Sequence, residues 1–298
     1  MRAKGYLLAA ISAITYGMIP LFAIPLKQVH LSFDTVLFYR FLISTAAISL
    51  LLWYKGIDLR INLKELGVLA LLGLMYSGSS EFLLVGYDYM PAGVASTMLF
   101  LYPALVAIIL SVGFKEKISW IVWVAIGIAF LGVTALNGGG GNAKIPLVGF
   151  VIVFLSALAY ALYMVIVNKS RIKSMRGMKV SFYSMAFCTI FFLGKSLIVN
   201  SFQAIPSFNA GLNLALFAII PTVISLITLV NAIKLIGSTP ASILGAMEPI
   251  SAVAITIIIF HEPFTVNLAI GITLVLIAVI LTVLSDRIGK IRLRNKVR

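Results

Sequence analysis

Residues 90–116, MPAGVASTMLFLYPALVAIILSVGFKE, and residues 234–262, KLIGSTPASILGAMEPISAVAITIIIFHE, spell one pattern twice. Ala95, Ser96, Pro103 and Glu116 in the first stretch fall on Ala241, Ser242, Pro249 and Glu262 in the second at one constant offset. Tyr102-Pro103 is answered by Glu248-Pro249, and Lys115-Glu116 by His261-Glu262. Upstream, Gly5, Ser12, Ala13, Tyr16, Phe38 and Tyr39 recur in fixed register as Gly149, Ser156, Ala157, Tyr160, Phe182 and Tyr183. The chain is a tandem duplication. An odd number of membrane crossings per copy turns one copy upside down relative to the other. Inverted repeats point to alternating access, with a binding site where the halves meet.

Composition makes the membrane the medium. The 298 residues are 61% apolar and 11% charged, with a mean hydropathy of +1.12, whereas a soluble domain carries roughly 25% charged residues. The net charge of +14 does not indicate nucleic acid. The cations stand in short clusters between apolar runs, the arrangement that fixes membrane orientation. A single cysteine, Cys188, lies inside an apolar run and reads as a packing residue, with no disulfide framework or metal pair. The apolar stretch after Met-Arg-Ala-Lys runs long enough to span and lacks a clear cleavage site, so it reads as a retained first helix.

Apolar stretches near 5–25, 33–54, 66–87, 91–112, 118–137, 146–168, 178–198, 210–232, 239–260 and 264–285 predict ten membrane-spanning helices and an all-α fold. The ~10-residue alternating segments of a membrane barrel are absent. With a cytoplasmic N-terminus, nineteen of the 23 Lys and Arg fall on the inside. Only Lys27, Lys144 and Lys195 fall outside, and Arg40 lies within a span. That bias predicts both termini on the cytoplasmic side of a bacterial cell membrane. The organisation read from this is a first five-helix repeat over 1–137, a Gly-rich outside linker over 138–145, a second repeat over 146–285 and a basic tail over 286–298. The four glycines of the linker are not followed by Gly-Lys-Ser/Thr, so it is no phosphate loop.

The stretches FYRFLIS at 38–44, LFLYPALVAIILSVGFKEKIS at 99–119 and SILGAMEPISAVAITIIIFHEP at 242–263, set in ten spans, resemble the drug/metabolite transporter superfamily and its EamA-type exporters. The resemblance implies a basket-like bundle with a cavity lined by helices 1, 3, 4, 6, 8 and 9, and with helices 5 and 10 peripheral. It also implies movement of amino acids, related metabolites or drugs, often outward.

Glu248 is the foremost candidate for chemistry, because a carboxylate near mid-membrane costs a few kcal/mol, about 2.5–3.5 on insertion scales. It is read as binding a substrate amine or taking up a proton, against a structural acid bonded to a neighbouring helix. Glu81, on a stripe with Gly73 and Ser77, has Ile227 as its repeat counterpart, so it is specific to one half; exposure in an outer vestibule is its alternative. Arg40, opposite Ser184, is assigned to snorkelling or helix pairing, with capture of a substrate carboxylate as the lesser reading. Pro103 and Pro249, near mid-membrane, and Pro20 and Pro221 remove backbone donors and predict helix breaks or hinges. Tyr16, Tyr160 and Tyr102 offer flat apolar faces with a hydroxyl, suited to an amphiphilic solute or to aromatic packing. Thr97, Tyr163, Thr222 and Ser225 are further polar candidates along the pathway. Glu116 and Glu262, at matched helix ends, suggest gating or capping.

These residues favour a secondary transporter for a small metabolite, amino acid or related amphiphile, driven by the substrate gradient or by protons. A drug exporter with proton antiport and a passive channel are the other readings. No catalytic arrangement, nucleotide-binding motif, cofactor motif or metal-ligand set is legible: His30 and His261 stand alone near outer helix ends. The expected partners are the solute and membrane lipid. The oligomeric state is not legible.

Overall fold

The structure is a computed structural model that describes residues 2–116, 119–137, 146–245, 247–261, 265–267, 269–274, 276–278 and 280–281. The predicted linker over 138–145, Lys117, Lys144, Glu262 and the basic tail lie outside the described residues. Among the described residues every regular element is helical. Eight helices are long and apolar enough to cross a membrane: α1 Arg2–Gln28, α2 Phe33–Tyr54, α3 Leu63–Gly86, α4 Ala92–Phe114, α6 Leu147–Lys169, α7 Gly177–Ile198, α8 Phe208–Ile236 and α9 Ser238–Phe260. Two shorter apolar helices, α5 Trp120–Asn137 and α10 Ala269–Ala278, stand where the fifth and tenth spans were predicted.

Local chemistry sets the ends. Ser32 caps α2 through the Thr35 N–H, Ser207 caps α8 through the Ala210 N–H, and Asn62 with Glu65 forms a capping box on α3. Left-handed residues close helices in mirrored pairs: Gly56 and Asn200 after α2 and α7, Lys115 and His261 after α4 and α9. Helix α8 runs past the predicted end at 232 because nothing breaks it before Gly237, whose φ of 89° stops it. Lys234 therefore sits on the last turn and reaches the carbonyls of Ile172 and Met175.

The contacts show that the repeats are inverted. At the end of α1, Lys27 pairs with Asp88 at 2.6 Å, just after α3. At the start of α6, Gly149 packs against Tyr89. The C-terminal end of α1 and the N-terminal end of its mate α6 therefore share one membrane face, so the two helices run in opposite directions. On the opposite face Lys169, ending α6, pairs with Glu116, beyond α4.

Each half binds the other through the same two interfaces. α1 packs antiparallel on α8, and its mate α6 packs antiparallel on α3, the mate of α8. In the first interface Ser12 Oγ donates to the Ser225 carbonyl at 2.9 Å and Ser225 Oγ to the Ser12 carbonyl at 3.1 Å. In the second, Ser156 Oγ donates to the Ser79 carbonyl at 2.7 Å. Small-residue approach is duplicated too. A Cβ on Gly5 would lie 2.5 Å from Ile236, and one on its mate Gly149 would lie 2.6 Å from Tyr89. α2 and its mate α7 pack on each other, and the mates Thr45 and Thr189 share a 3.2 Å hydrogen bond between them. α5 turns Trp120, Trp123, Phe130 and Leu131 outward, a lipid-facing surface at the rim.

Candidate substrate site

Four spans break where the chain predicts it. α1 is interrupted at Gly17-Met18, two residues before Pro20, and α4 at Phe100-Leu101, just before Pro103. α9 divides into Ser238–Leu244 and Met247–Phe260 ahead of Pro249. The Gly245 carbonyl, which Pro249 cannot engage, accepts the Glu248 N–H at 2.8 Å. In α8, Pro221 lies in a π-helical turn, Ile219–Ile224. There the missing N–H leaves the Phe217 carbonyl to the Thr222 hydroxyl, which donates to it at 3.0 Å.

Between the broken helices sits a cluster of buried tyrosines. Tyr16 and its mate Tyr160 stack face to face, centroids 5.5 Å apart and planes within 9°, so the axis relating the repeats passes through the pair. Tyr102 meets Tyr160 edge-on at 4.8 Å, and Tyr76 lies 5.3 Å from Tyr163 and 6.5 Å from Tyr160. The hydroxyls of Tyr16, Tyr76 and Tyr163 are buried without a partner, as are Ser77 and Ser80 Oγ on α3. Buried polar groups are nearly always satisfied. Several such hydroxyls on adjoining helices make this the most polar part of the buried cluster.

Glu248 opens the second segment of α9 with 3% of its surface exposed. Its carboxylate joins none of the four ion pairs and accepts no hydrogen bond among the described residues. The first helical turn favours the anion through the peptide dipoles. Glycines bring neighbours close. Gly245 leaves room for the Tyr102 hydroxyl, which would stand 1.4 Å from a Cβ there, and Gly17 lets Ser251 and the Glu248 carbonyl approach α1.

The sequence matches the model of the EamA-like transporter family over residues 3–138 and again over 147–284, one match per repeat. The chain belongs to this family. It is 27% identical over 202 residues, 66% of its length, to a protein named "Uncharacterized transporter YvbV" from Bacillus subtilis (strain 168), and the match spans 65% of that relative. A solved structure titled "Crystal structure of protein" superposes with a TM-score of 0.77 at 17% identity, covering 96% of this chain and 99% of the other, a likeness of fold. As a member of this family it is a multi-pass protein of the cell membrane.

The remaining sequence candidates of this EamA-like transporter divide by position. Thr97 Oγ1 is spent within its own helix, donating to the Gly93 carbonyl at 2.7 Å, and Ser225 belongs to the α1–α8 clasp. Glu81 does not join the tyrosine cluster. Lys195 on α7 takes both Glu81 and Asp34, the latter at 2.6 Å, tying α2 and α3 of the first repeat to the second. Glu116 is held by Lys169 at the other face. Arg40 is 1% exposed, and its Nε donates to Thr222 Oγ1 at 2.6 Å. Sequence reasoning passed over Tyr76, Asp34 and Lys195. Tyr76 adjoins the noted Gly73–Ser77 stripe. Lys195 and Glu81, an outside cation and an unmatched acid at the same membrane level, were both visible but 114 positions apart.

Proposed function

We propose that this chain is a secondary transporter that moves a small amphiphilic metabolite, an amino acid or a close relative, outward across the cytoplasmic membrane by alternating access. One observation carries the reading. The mates Tyr16 and Tyr160 meet on the axis between inverted repeats, near Glu248, a buried carboxylate with no side-chain partner among the described residues. A solute seated there touches both halves, so closing one face and opening the other is a rocking of mirrored units about a fixed site. The aromatic faces cover the apolar part of the solute, and Glu248 holds its ammonium group or a proton that travels in its place. Outward movement and cytoplasmic termini follow from the family resemblance and from the cation bias.

The test is a panel of radiolabelled amino acids and related amines, run in proteoliposomes with and without an imposed pH gradient. Carriage of at least one panel member, slowed strongly by Glu248→Gln, is expected. Absence of carriage at either pH removes the substrate class.

A further inference from the structure

Away from the tyrosine cluster, α4 and α5 form a hairpin around the loop Lys115-Glu116-Lys117-Ile118-Ser119, and a groove of about 510 Å³ runs between them and α6. That is the size of a ligand pocket, roughly 300–1,000 Å³. Ile108 and Trp123 line its level nearer the loop. Leu101 and Phe130, two turns further along each helix and so about 10 Å deeper, line its far end, where α6 contributes Phe154. No lining residue carries a charge or a hydroxyl. The middle is open, since a Cβ on Gly127 would meet nothing within 4 Å. The far end lies at the break in α4, next to Tyr102.

An apolar trench at membrane depth takes hydrocarbon. A charged or zwitterionic solute would lose its hydration there and find no partner. The mouth of the trench says which hydrocarbon. Because the 115–119 loop joins the two helices that form the walls, the groove ends at that loop. Lys115 is exposed there and makes no ion pair among the described residues, while its neighbour Glu116 is already neutralised by Lys169. The mouth therefore presents an uncompensated positive charge. The cation bias puts this loop on the cytoplasmic face, whose leaflet is the anionic one. Exposed Trp120, one turn from Trp123, stands at the same level, where indole rings settle among headgroups. A second copy of the chain, docked here about a two-fold axis, would bring another Lys115 to the same level and add to the charge instead of answering it.

We propose that this groove is a binding site for an anionic phospholipid of the cytoplasmic leaflet. One acyl chain lies between α4 and α5, past Ile108 and Trp123 and over Gly127, and the phosphate headgroup rests on Lys115. The two ends do different work. The groove buries the chain whatever the headgroup, and the lysine selects the anionic headgroup. The tip of the chain packs against the break in α4, so the lipid touches the segment that brings Tyr102 into the tyrosine cluster. The site stands independently of what the central cluster carries.

Trp123 reports on the groove directly. With Trp53→Phe and Trp120→Phe in the full-length chain it is the one tryptophan left. That protein is reconstituted in phosphatidylcholine vesicles in which a rising share of the lipid is phosphatidylglycerol. One lipid or the other carries bromine on its acyl chains, and bromine quenches indole emission on contact. Brominated phosphatidylglycerol is expected to quench Trp123 about five-fold more effectively per mole than brominated phosphatidylcholine, the worth of one cation at a membrane surface. Lys115→Gln should bring the two lipids level and leave quenching by phosphatidylcholine in place. Gly127→Leu, which fills the middle of the groove, should remove most of the preference. The ratio is read within each preparation, so yield cancels, and the parent's own ratio decides if a variant does not fold. Equal quenching by the two lipids in the parent, or a preference that survives either substitution, overturns the proposal. No quenching by either lipid means that a second copy of the chain covers the groove, and overturns it as well.

Discussion

In the first repeat the second segment of α4 opens on Tyr102; in the second repeat the same place in α9 is Glu248. Around that difference the repeats agree closely. The Ser12–Ser225 and Ser79–Ser156 clasps, the Gly5 and Gly149 approaches, the stacked Tyr16–Tyr160 pair and the Thr45–Thr189 bond are duplicated or lie on the axis itself. Even the loop latches mirror each other: the Tyr39 hydroxyl donates to the Gln203 carbonyl and the Tyr183 hydroxyl to that of Leu59, on opposite membrane faces. The positions that differ are the buried charges Arg40 and Glu248 and the Glu81–Lys195–Asp34 cluster. The shared clasps and glycine approaches hold the bundle, and on the reading proposed above the charges that only one half has meet the solute or distinguish the two faces.

The comparison is broken most severely by Glu248→Gln. Loss of an unshared buried carboxylate should cut amino-acid uptake about a hundred-fold, within the range for removing one side of a desolvated charge pair. Uptake within two-fold of wild type would move Glu248 to the scaffold set. Gly245→Ala comes next. The added methyl takes the place of the Tyr102 hydroxyl, and overpacking should lower stability by about 1–3 kcal/mol in detergent unfolding and slow transport. Tyr102→Phe in the same chain should recover part of both, and no recovery would mean that the clash lies elsewhere. Lys195→Met leaves Asp34 and Glu81 facing each other without a cation. Because all three side chains keep some exposure, the expected cost is only about 1 kcal/mol. Glu81→Gln, which spares the Asp34 pair, should cost less. The smallest effects belong to the duplicated clasps: Ser12→Ala and Ser156→Ala should each cost about 0.6 kcal/mol. They should also be additive, since the clasps share no partners. Markedly unequal costs would show that the halves bear unequal load.

The architecture was legible because its causes are periodic. Apolar length predicts the spans, the Pro103/Pro249 register predicts paired breaks, and the fixed-register echo predicts mirrored packing, each read from a local run or from its repeat. Tyr16 and Tyr160 were legible as mates because the duplication names them. The surroundings of Arg40 were not. Its setting depends on a π-helical turn 182 positions away, produced by Pro221 and completed by the Thr222 hydroxyl. A buried cation reads from sequence as a packing or snorkelling residue, because nothing local says whether an acid will reach it. The pairing of Glu81 was hidden for the complementary reason: its partner Lys195 belongs to the other repeat and comes alongside only after the halves interleave.

The central claim, one solute site enclosed by two mirrored halves that open in turn, is met most directly by counterflow. Proteoliposomes loaded with excess unlabelled amino acid are given a trace of the labelled form outside. The account predicts a transient accumulation of label above equilibrium in wild-type protein and its disappearance in Glu248→Gln. A monotonic approach to equilibrium by wild-type protein that carries the label, unaffected by the internal solute, would contradict it.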